Sequence, residues 1–385
     1  MTSTRVEAAV REVYAVGADH RVEDLCCPVD YDPRYLEAIP TEVVERDYGC
    51  GDPSRYLRES ETVLDLRSGT GKICFIASQV VGSEGHVIGV DMTPEMLDSA
   101  RRNLPEVASR IGYSNVEFRR RRIQDLALDL DALERLLEND PVSDVDGLFA
   151  AQAVADDLRR TEPMVEDESV DVVVSNCVLN LIDQRDKAHL FREVFRVLRR
   201  GGRAVVSDIV SDEVVPEPMR NDPELWSGCV AGAFTEGGFL KAFEDAGFYG
   251  IRIRARQDEP WRTVEGIEFR SITVEAFRDK EVECFERNQA VIYRGPFKEV
   301  LDDDGHRLMR GERTAVCDKT FQIYRGEPYA SPFDFVEPLE PIALGDAEPF
   351  DCSRAAPRHP RESKELEYDV TSEASGQVCG PDECC

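Results

Sequence analysis

The sequence predicts an α/β protein built on a doubly wound, Rossmann-like, mostly parallel sheet, with an N-terminal cap and a smaller β-rich C-terminal domain. Three observations predict it. Short apolar runs alternate with helical segments between residues 61 and 255, a glycine turn joins the first run to the first helix, and after Tyr249 the pattern shifts to alternating runs. Each element follows from local chemistry.

Residues 1–60 hold a helical start, VEAAVREVYAVGA, the vicinal pair Cys26 and Cys27, and a Pro/Gly/Asp-broken stretch ending in DYGCGDP, and read as a cap with cysteines. From residue 61, TVLDL is an apolar run, SGTG a turn, KICFIASQVVG a helix apolar around its circumference, and HVIGVD a second apolar run. Strand, glycine turn, helix and strand make a βαβ unit. The helix PEMLDSARRNL, the strand NVEFRR and the run VDVVVSN follow. The helix KAHLFREVFRVLRR then stops at Gly201-Gly202 and leads into RAVVSDIV. The polar, Leu-spaced stretch 126–169 reads as an inserted helical pair. The runs IEFRSITVEAF, NQAVIYRG and TAVCDKTFQIY place a β-rich domain at 256–350, and the Pro-, Glu- and Ser-rich residues 351–385 read as a disordered, cysteine-containing tail.

A chain of 385 residues supports more than one domain. Its 47 Lys+Arg against 77 Asp+Glu give a net charge of −30, which repels phosphate backbones and anionic membranes, so neither nucleic acid nor membrane is an expected partner. No run of 18 apolar residues and no signal-like N-terminus occurs, and the expected location is the cytoplasm. Twelve cysteines are too sparse for a disulfide scaffold in so long a chain, and in a reducing compartment they stay thiols.

A glycine turn between strand and helix brings backbone N–H groups to a ligand, and an acid about 20 residues on can hold a ribose. Here the turn runs Asp65-Leu66-Arg67-Ser68-Gly69-Thr70-Gly71, and Asp91 ends the next strand. The dinucleotide pattern G-x-G-x-x-G fails at Cys74, which disfavours a nicotinamide or flavin dinucleotide. VLDLRSGTG and VIGVDM instead resemble the first two motifs of class I methyltransferases, whose cosubstrate is S-adenosylmethionine. That resemblance implies that Asp65 faces the amino-acid part, that Ser68, Gly69 and Gly71 line the approach, and that Asp91 takes the ribose hydroxyls. It further places Met92, Ile123 and Gln124 around the adenine and Asn176 among the cofactor contacts. One position departs from the pattern, because Arg67 stands where the family has glycine. Either its side chain points outward, or it crowds the cofactor, or it pairs with the cofactor's carboxylate; crowding is the favoured expectation over pairing.

Four cysteine contexts remain: LCCP, YGCG, SNCVLNL and LWSGCVAGA. Cys177 ends the VDVVVSN run, and open α/β sheets bind ligands outside the carboxyl ends of their strands. In this order around the cofactor motifs, the last three contexts resemble those of the arsenite S-adenosylmethionine methyltransferases, over residues 10–255. The resemblance implies that Cys50, Cys177 and Cys229 hold As(III) as thiolates, with Cys27 or Cys26 in a fourth role. It also implies an external thiol reductant such as glutathione or thioredoxin. The chemistry agrees, because As(III) is soft and prefers sulfur, and three thiolates leave it a lone pair to attack the sulfonium methyl.

Two other readings stay open: methylation of a sterol- or quinone-type acceptor, and a non-catalytic thiol protein that binds metalloid. Cys74 is expected in the core, and Cys284, Cys317 and Cys352 lack zinc-type C-x-x-C spacing. The vicinal Cys384 and Cys385, with Cys379, either capture metalloid or are disordered thiols. Asp208 either faces the substrate or merely ends a strand. His20, His86, His189, His306 and His359 lie in no catalytic context.

Overall fold

Parallel strands covered on both faces carry near-continuous apolar runs, and the two most central strands here do so: TVLDL and VDVVVSN are buried along almost their whole length. The computed structural model describes residues 3–19, 29–46, 48–278, 283–352 and 357–364. The chain divides into two compact units, Met1–Lys280 and Glu281–Cys385.

The first unit opens with helices α1 (Ser3–Asp19), α2 (Pro33–Leu36) and α3 (Thr41–Glu45). There follow β1 (Thr62–Leu66), α4 (Lys72–Val81), β2 (His86–Asp91), α5 (Pro94–Ile111), β3 (Val116–Arg120), α6 (Leu130–Asn139), α7 (Val145–Thr161) and β4 (Val170–Asn176). The remainder is α8 (Gln184–Val197), β5 (Leu198–Ser211), α9 (Glu217–Arg220), α10 (Pro223–Ser227), β6 (Phe234–Thr235), α11 (Glu236–Asp245), β7 (Tyr249–Arg256), β8 (Arg262–Val264) and β9 (Ile267–Phe277). The sheet order is β3-β2-β1-β4-β5-β9-β7, with β6 beside β5 and β8 beside β9. β1 to β5 pair in parallel, so the fold is the doubly wound α/β sheet that the sequence predicts.

Alternation along each strand sorts side chains to two cores. Leu64, Leu66 and Val173 face one side with Phe191, Val194, Phe239 and Phe243. Val63, Val172 and Val174 face the other with Phe75, Ile76, Leu97 and Ala100. Strand order reverses between β1 and β4, which leaves a crevice outside their carboxyl ends.

Residues 126–169 hold the helices α6 and α7, each N-capped by an aspartate: Asp129 accepts from Ala132 N at 2.7 Å and Asp144 from Gly147 N at 2.8 Å. Ala155 is the one buried residue of this pair of helices.

The boundary expected at 255 moves. β9 pairs with β5 over nine residues, from Arg203 opposite Phe277 to Ser211 opposite Phe269, so residues 256–278 extend the main sheet, with β9 antiparallel between β5 and the edge strand β7. A buried carboxylate fixes this edge. Glu275, 1% exposed, meets Arg252 at 2.6 Å, Arg254 at 2.9 Å and Arg203 at 3.4 Å, and Arg203 also pairs with Glu61 at 2.5 Å.

The second unit contains β10 (Phe285–Glu286), β11 (Ala290–Tyr293), β12 (Glu299–Leu301), β13 (Arg307–Met309), β14 (Arg313–Ala315), α12 (Asp318–Arg325), β15 (Phe333–Val336), β16 (Glu348–Pro349) and α13 (Pro360–Lys364). It is β-rich, with strand orders β14-β11-β15, β10-β16 and β12-β13, around Val291, Leu308, Val316, Phe321 and Phe333. Within the stretch expected as a tail from 351, residues 357–364 pack into this unit. Arg358 is buried, with both carboxylate oxygens of Glu286 at 2.7 Å from its Nη2, and Leu339 N donates to Ser363 O at 2.9 Å. Cys26, Cys27, Cys379, Cys384 and Cys385 lie outside the described residues.

Glu275→Ala removes one of the two carboxylates that neutralise the buried Arg203. The expected loss is about 3 kcal/mol or more of unfolding free energy, read by urea denaturation, because removing one member leaves a buried charge uncompensated. A loss below ~1 kcal/mol would show that the edge does not depend on this carboxylate.

Candidate functional site

The turn after β1 supplies the first wall of the crevice. Arg67, Gly69 and Gly71 all have positive φ, at 55°, 55° and 94°. A Cβ on Gly71 would stand 2.8 Å from Phe118 Cζ, so this position needs glycine for space as well as for conformation. Ser68 N donates to Val90 O at 2.9 Å and Gly69 N to Asp91 Oδ2 at 3.1 Å, which tie the turn to β2. The second Asp91 oxygen accepts from Thr93 N at 2.8 Å. Each oxygen keeps a lone pair for a further donor.

Asp65 lies under this turn. Burial pushes its carboxyl up to about 7, against the hydrogen bond from the Cys74 thiol at 3.1 Å, while the Asp91 charge adds to the rise. Cys74 is a core residue, as expected, and the residue that breaks the dinucleotide pattern is the one that touches the acid. Ser68 Oγ and Thr93 Oγ1 are buried without hydrogen-bond partners. A cavity opens here, walled by Asp65, Ser68, Gly69, Asp91, Asn176 and Cys177 among others. Met96 lines it, whereas Met92, Ile123 and Gln124 do not; Ile123 packs against Leu64, Leu66 and Val90.

The second wall is built around sulfur. Cys50, Cys177 and Cys229 are each only 5% exposed and share one apolar cluster with Met96, Trp226 and Phe269. Cys177 is the central member, with its thiol in hydrogen-bond contact with both others. Those contacts, then burial, push it well above its ordinary range, and burial raises Cys50. Cys229 Sγ also lies 3.6 Å from Cys177 O. The three sulfurs do not all fall within 4.8 Å of one another.

Cys177 and Cys229 have φ of 61° and 58°, a left-handed conformation uncommon for residues with a side chain. Surrounding bonds hold it. Cys177 N donates to Ser207 O at 2.8 Å, and Asp208 Oδ2 accepts from Val178 N at 3.0 Å and Leu179 N at 2.7 Å. Burial raises the Asp208 carboxyl to about 6 despite these donors. Asp208 therefore grips the backbone that follows Cys177. Asn180 Nδ2 bridges Ile209 O at 2.5 Å and Cys229 O at 3.1 Å, which links the second and third cysteine segments.

The glycines beside the cysteines mark close approaches. A Cβ on Gly49 would lie 2.1 Å from Asn176 Nδ2, on Gly51 2.6 Å from Ser207 Oγ, and on Gly232 1.9 Å from Asn180 O. The Asn176 amide fills the space so created. Its oxygen accepts from Cys50 N at 2.9 Å and Gly51 N at 3.1 Å, and its nitrogen donates to Gly51 O at 2.7 Å. Asn176 thus spends its side chain on the Cys50 loop while lining the cavity. On its far side Cys50 borders a second cavity with Arg55, Arg256, Ser271 and Thr273.

Tyr14 is a site residue that the motifs do not reveal. Burial first, then the neighbouring Cys229, raises its hydroxyl well above the ordinary value, and Arg67 opposes the rise. The Arg67 guanidinium lies 4.9 Å from the centre of the Tyr14 ring. The side chain that replaces glycine in the turn therefore packs against α1. Tyr48 Oη donates to Gly17 O at 2.9 Å and Arg46 Nη1 to Ala18 O at 2.8 Å, which dock that helix. The available signal was the four-residue spacing of Val10, Tyr14 and Ala18, all buried.

Comparison with known proteins places this geometry. A methyltransferase domain family matches residues 57–145 and 131–247, and a domain of unknown function, DUF8838, matches 280–368. The arsenite methyltransferase of Aquipseudomonas alcaligenes is 32% identical over 329 residues, covering 81% of this chain and 84% of that one. The arsenite methyltransferase of Homo sapiens is 28% identical over 374 residues, covering 91% and 88%. The crystal structure of an arsenic(III) S-adenosylmethionine methyltransferase from Chlamydomonas reinhardtii superposes with a TM-score of 0.54 at 27% identity, covering 84% of this chain and all of that one.

Asn176→Ala removes the bonds that fix the Cys50 loop. The fold is expected to survive, and Cys50 is expected to react with iodoacetamide at least tenfold faster, a factor that corresponds to ~1.4 kcal/mol of lost restraint. An unchanged rate, read by peptide mass spectrometry, would dismiss the clamp.

Proposed function

This chain belongs to the arsenite methyltransferase family, and from that premise we propose that Cys50, Cys177 and Cys229 are the thiolates that hold its trivalent arsenic substrate. The activity is S-adenosylmethionine-dependent methylation of arsenite. The observation that carries the site assignment is Cys177, which touches both other thiols and lines the same cavity as Asp65, Ser68 and Asp91.

The donor set fits S-adenosylmethionine: buried Ser68 Oγ and Thr93 Oγ1 lack partners, Asp65 and Asp91 keep acceptor capacity, and Gly71 leaves no room for a side chain. When bound, it supplies an electrophilic methyl group on a sulfonium. Asp65 would face the amino-acid part, Asp91 the ribose, and Ser68 and Gly69 the approach between them. Met92, Ile123 and Gln124 remain the proposed adenine contacts.

Substrate capture is a ligand exchange. Three cysteine S–H bonds and three As–O bonds break, three As–S bonds form, and three waters leave, so burial need not be overcome by free thiolates. The arsenic lone pair then points away from the sulfurs, and the protein's contribution is proximity and orientation. The Tyr14 hydroxyl, held protonated, donates to sulfur at Cys229. Asp208 and Asn180 keep Cys177 and Cys229 in their left-handed conformations. Cys27 or Cys26 takes the fourth role, and a thiol reductant of the glutathione or thioredoxin class returns arsenic to the trivalent state after transfer. No helix among the described residues is long and apolar enough to cross a membrane, and the free cysteines support a reducing compartment such as the cytoplasm. A sterol- or quinone-type acceptor would leave the thiols dispensable.

The direct test is arsenite-dependent formation of S-adenosylhomocysteine with a thiol reductant present; no turnover would overturn the reading. Cys177→Ser is expected to abolish methylation and leave cofactor binding intact, because a hydroxyl is a hard, weakly ionised ligand. Half the activity retained would remove Cys177 from the ligand set.

A second expectation concerns pH. Below about 7 Asp65 is protonated, and a cationic ligand group favours its ionised form, so binding expels a proton. S-adenosylmethionine affinity should therefore rise as pH is raised through about 7, and Asp65→Asn should bind more weakly with that rise absent. Titration calorimetry decides, and a flat wild-type profile would exclude Asp65 from the contact.

A further inference from the structure

The second unit gathers three cysteines that are remote in sequence. Cys284 precedes β10, Cys352 follows β16, and the antiparallel pairing of these strands, with Phe350 N donating to Cys284 O at 2.9 Å, brings the two together. Cys317 is the N-cap of α12, where its sulfur accepts from Thr320 N at 3.4 Å and lies 3.2 Å from Thr320 Oγ1. All three are free thiols, and their sulfurs lie within 4.8 Å of one another, closer as a group than Cys50, Cys177 and Cys229. Cys317 is buried and the other two are half-buried, so the cluster has a fixed base and an open approach.

We propose that Cys284, Cys317 and Cys352 form a second trivalent-arsenic site, separate from the methyl-transfer centre, that binds arsenite as a tris-thiolate. The number of ligands chooses the occupant. Among the described residues no fourth Cys, His, Asp or Glu joins the group, whereas structural zinc takes four such ligands. Trivalent arsenic takes three sulfurs and keeps its fourth direction for the lone pair. Its soft character matches an all-sulfur set. Charge agrees as well, since three thiolates around As(III) are neutral, while the same three around Zn(II) carry a net negative charge.

As at the first site, three S–H and three As–O bonds break, three As–S bonds form and three waters leave, with no change of oxidation state. Among the described residues of the second unit no glycine turn with a paired acid accompanies these sulfurs, so the site binds without methylating. Occupancy would bridge the flanks of β10, α12 and β16 and stiffen the unit. The choice of arsenic over another soft ion rests on the family's substrate, and the test separates the two.

The test uses the full chain carrying Cys50→Ser, Cys177→Ser and Cys229→Ser, together with Cys→Ser at 26, 27, 379, 384 and 385, in a phosphine reductant that offers no competing thiol. Arsenite is expected to bind once per chain with three sulfur neighbours by X-ray absorption, and an added Cys352→Ser should weaken it at least a hundredfold. No retained arsenic, retention indifferent to Cys352→Ser, or a 1:1 zinc complex that arsenite does not displace would each overturn the proposal. If that background fails to fold, the wild-type chain answers by alkylation and mass spectrometry. Arsenite should protect Cys284, Cys317 and Cys352 together, and full labelling of Cys352 under saturating arsenite would overturn it. Because Cys177→Ser should lose methylation yet keep this protection, failure here and failure of the catalytic reading are distinguishable.

Discussion

The amide of Asn176 is the contact on which the three-cysteine site depends. It stands at the end of β4, at the point where strand order reverses, and its oxygen and nitrogen together hold three backbone groups of the Cys50 loop. The loop comes close enough only because Gly49 and Gly51 have no Cβ. One side chain therefore couples a segment outside the sheet to the strand end that carries Cys177. A longer or apolar residue at 176 would leave the loop's N–H groups without acceptors, at roughly 1–3 kcal/mol for each one buried.

The site also concentrates strained backbone. Arg67, Cys177 and Cys229 sit in the left-handed region, at a cost of order 1–3 kcal/mol each. Each has a specific compensation: the Tyr14 ring beneath Arg67, Asp208 behind Cys177, and the Asn180 amide on the Cys229 carbonyl. The strain aims side chains inward from loops that would otherwise turn them away. It also explains why a departure from glycine at 67 is compatible with the turn, since the guanidinium lies along the helix α1 while the backbone keeps the geometry that glycine would adopt.

The electrostatics divide sharply between surface and interior. A net charge of −30 is spread over exposed carboxylates, while the buried acids have separate tasks. Glu275 is neutralised by three arginines and secures the antiparallel edge. Asp65 and Asp208 are raised by burial and sit at the carboxyl ends of β1 and β5, where a cation or a backbone donor can meet them. Thiols complete the set. Buried sulfur carries little desolvation cost when protonated, so the three-cysteine centre can stay apolar.

The sequence by itself determined the features that are local in the chain. The βαβ rhythm, the turn from Asp65 to Gly71, the acid at 91 and the three cysteine motifs follow from residues near one another, because periodicity and turn chemistry act over a few positions. What only the tertiary structure decided involves partners far apart. The strand at Ile267–Phe277 reads as part of a separate β domain until its partner β5 is known, since a strand does not specify which edge it joins. Tyr14 reaches sulfur across more than 160 residues, and Cys284, Cys317 and Cys352 carry no short spacing, yet both groupings arise where packing brings distant segments together. Spacing rules detect ligands supplied by one loop, and they miss ligands supplied by three, because chain separation bears no fixed relation to distance once strands have paired.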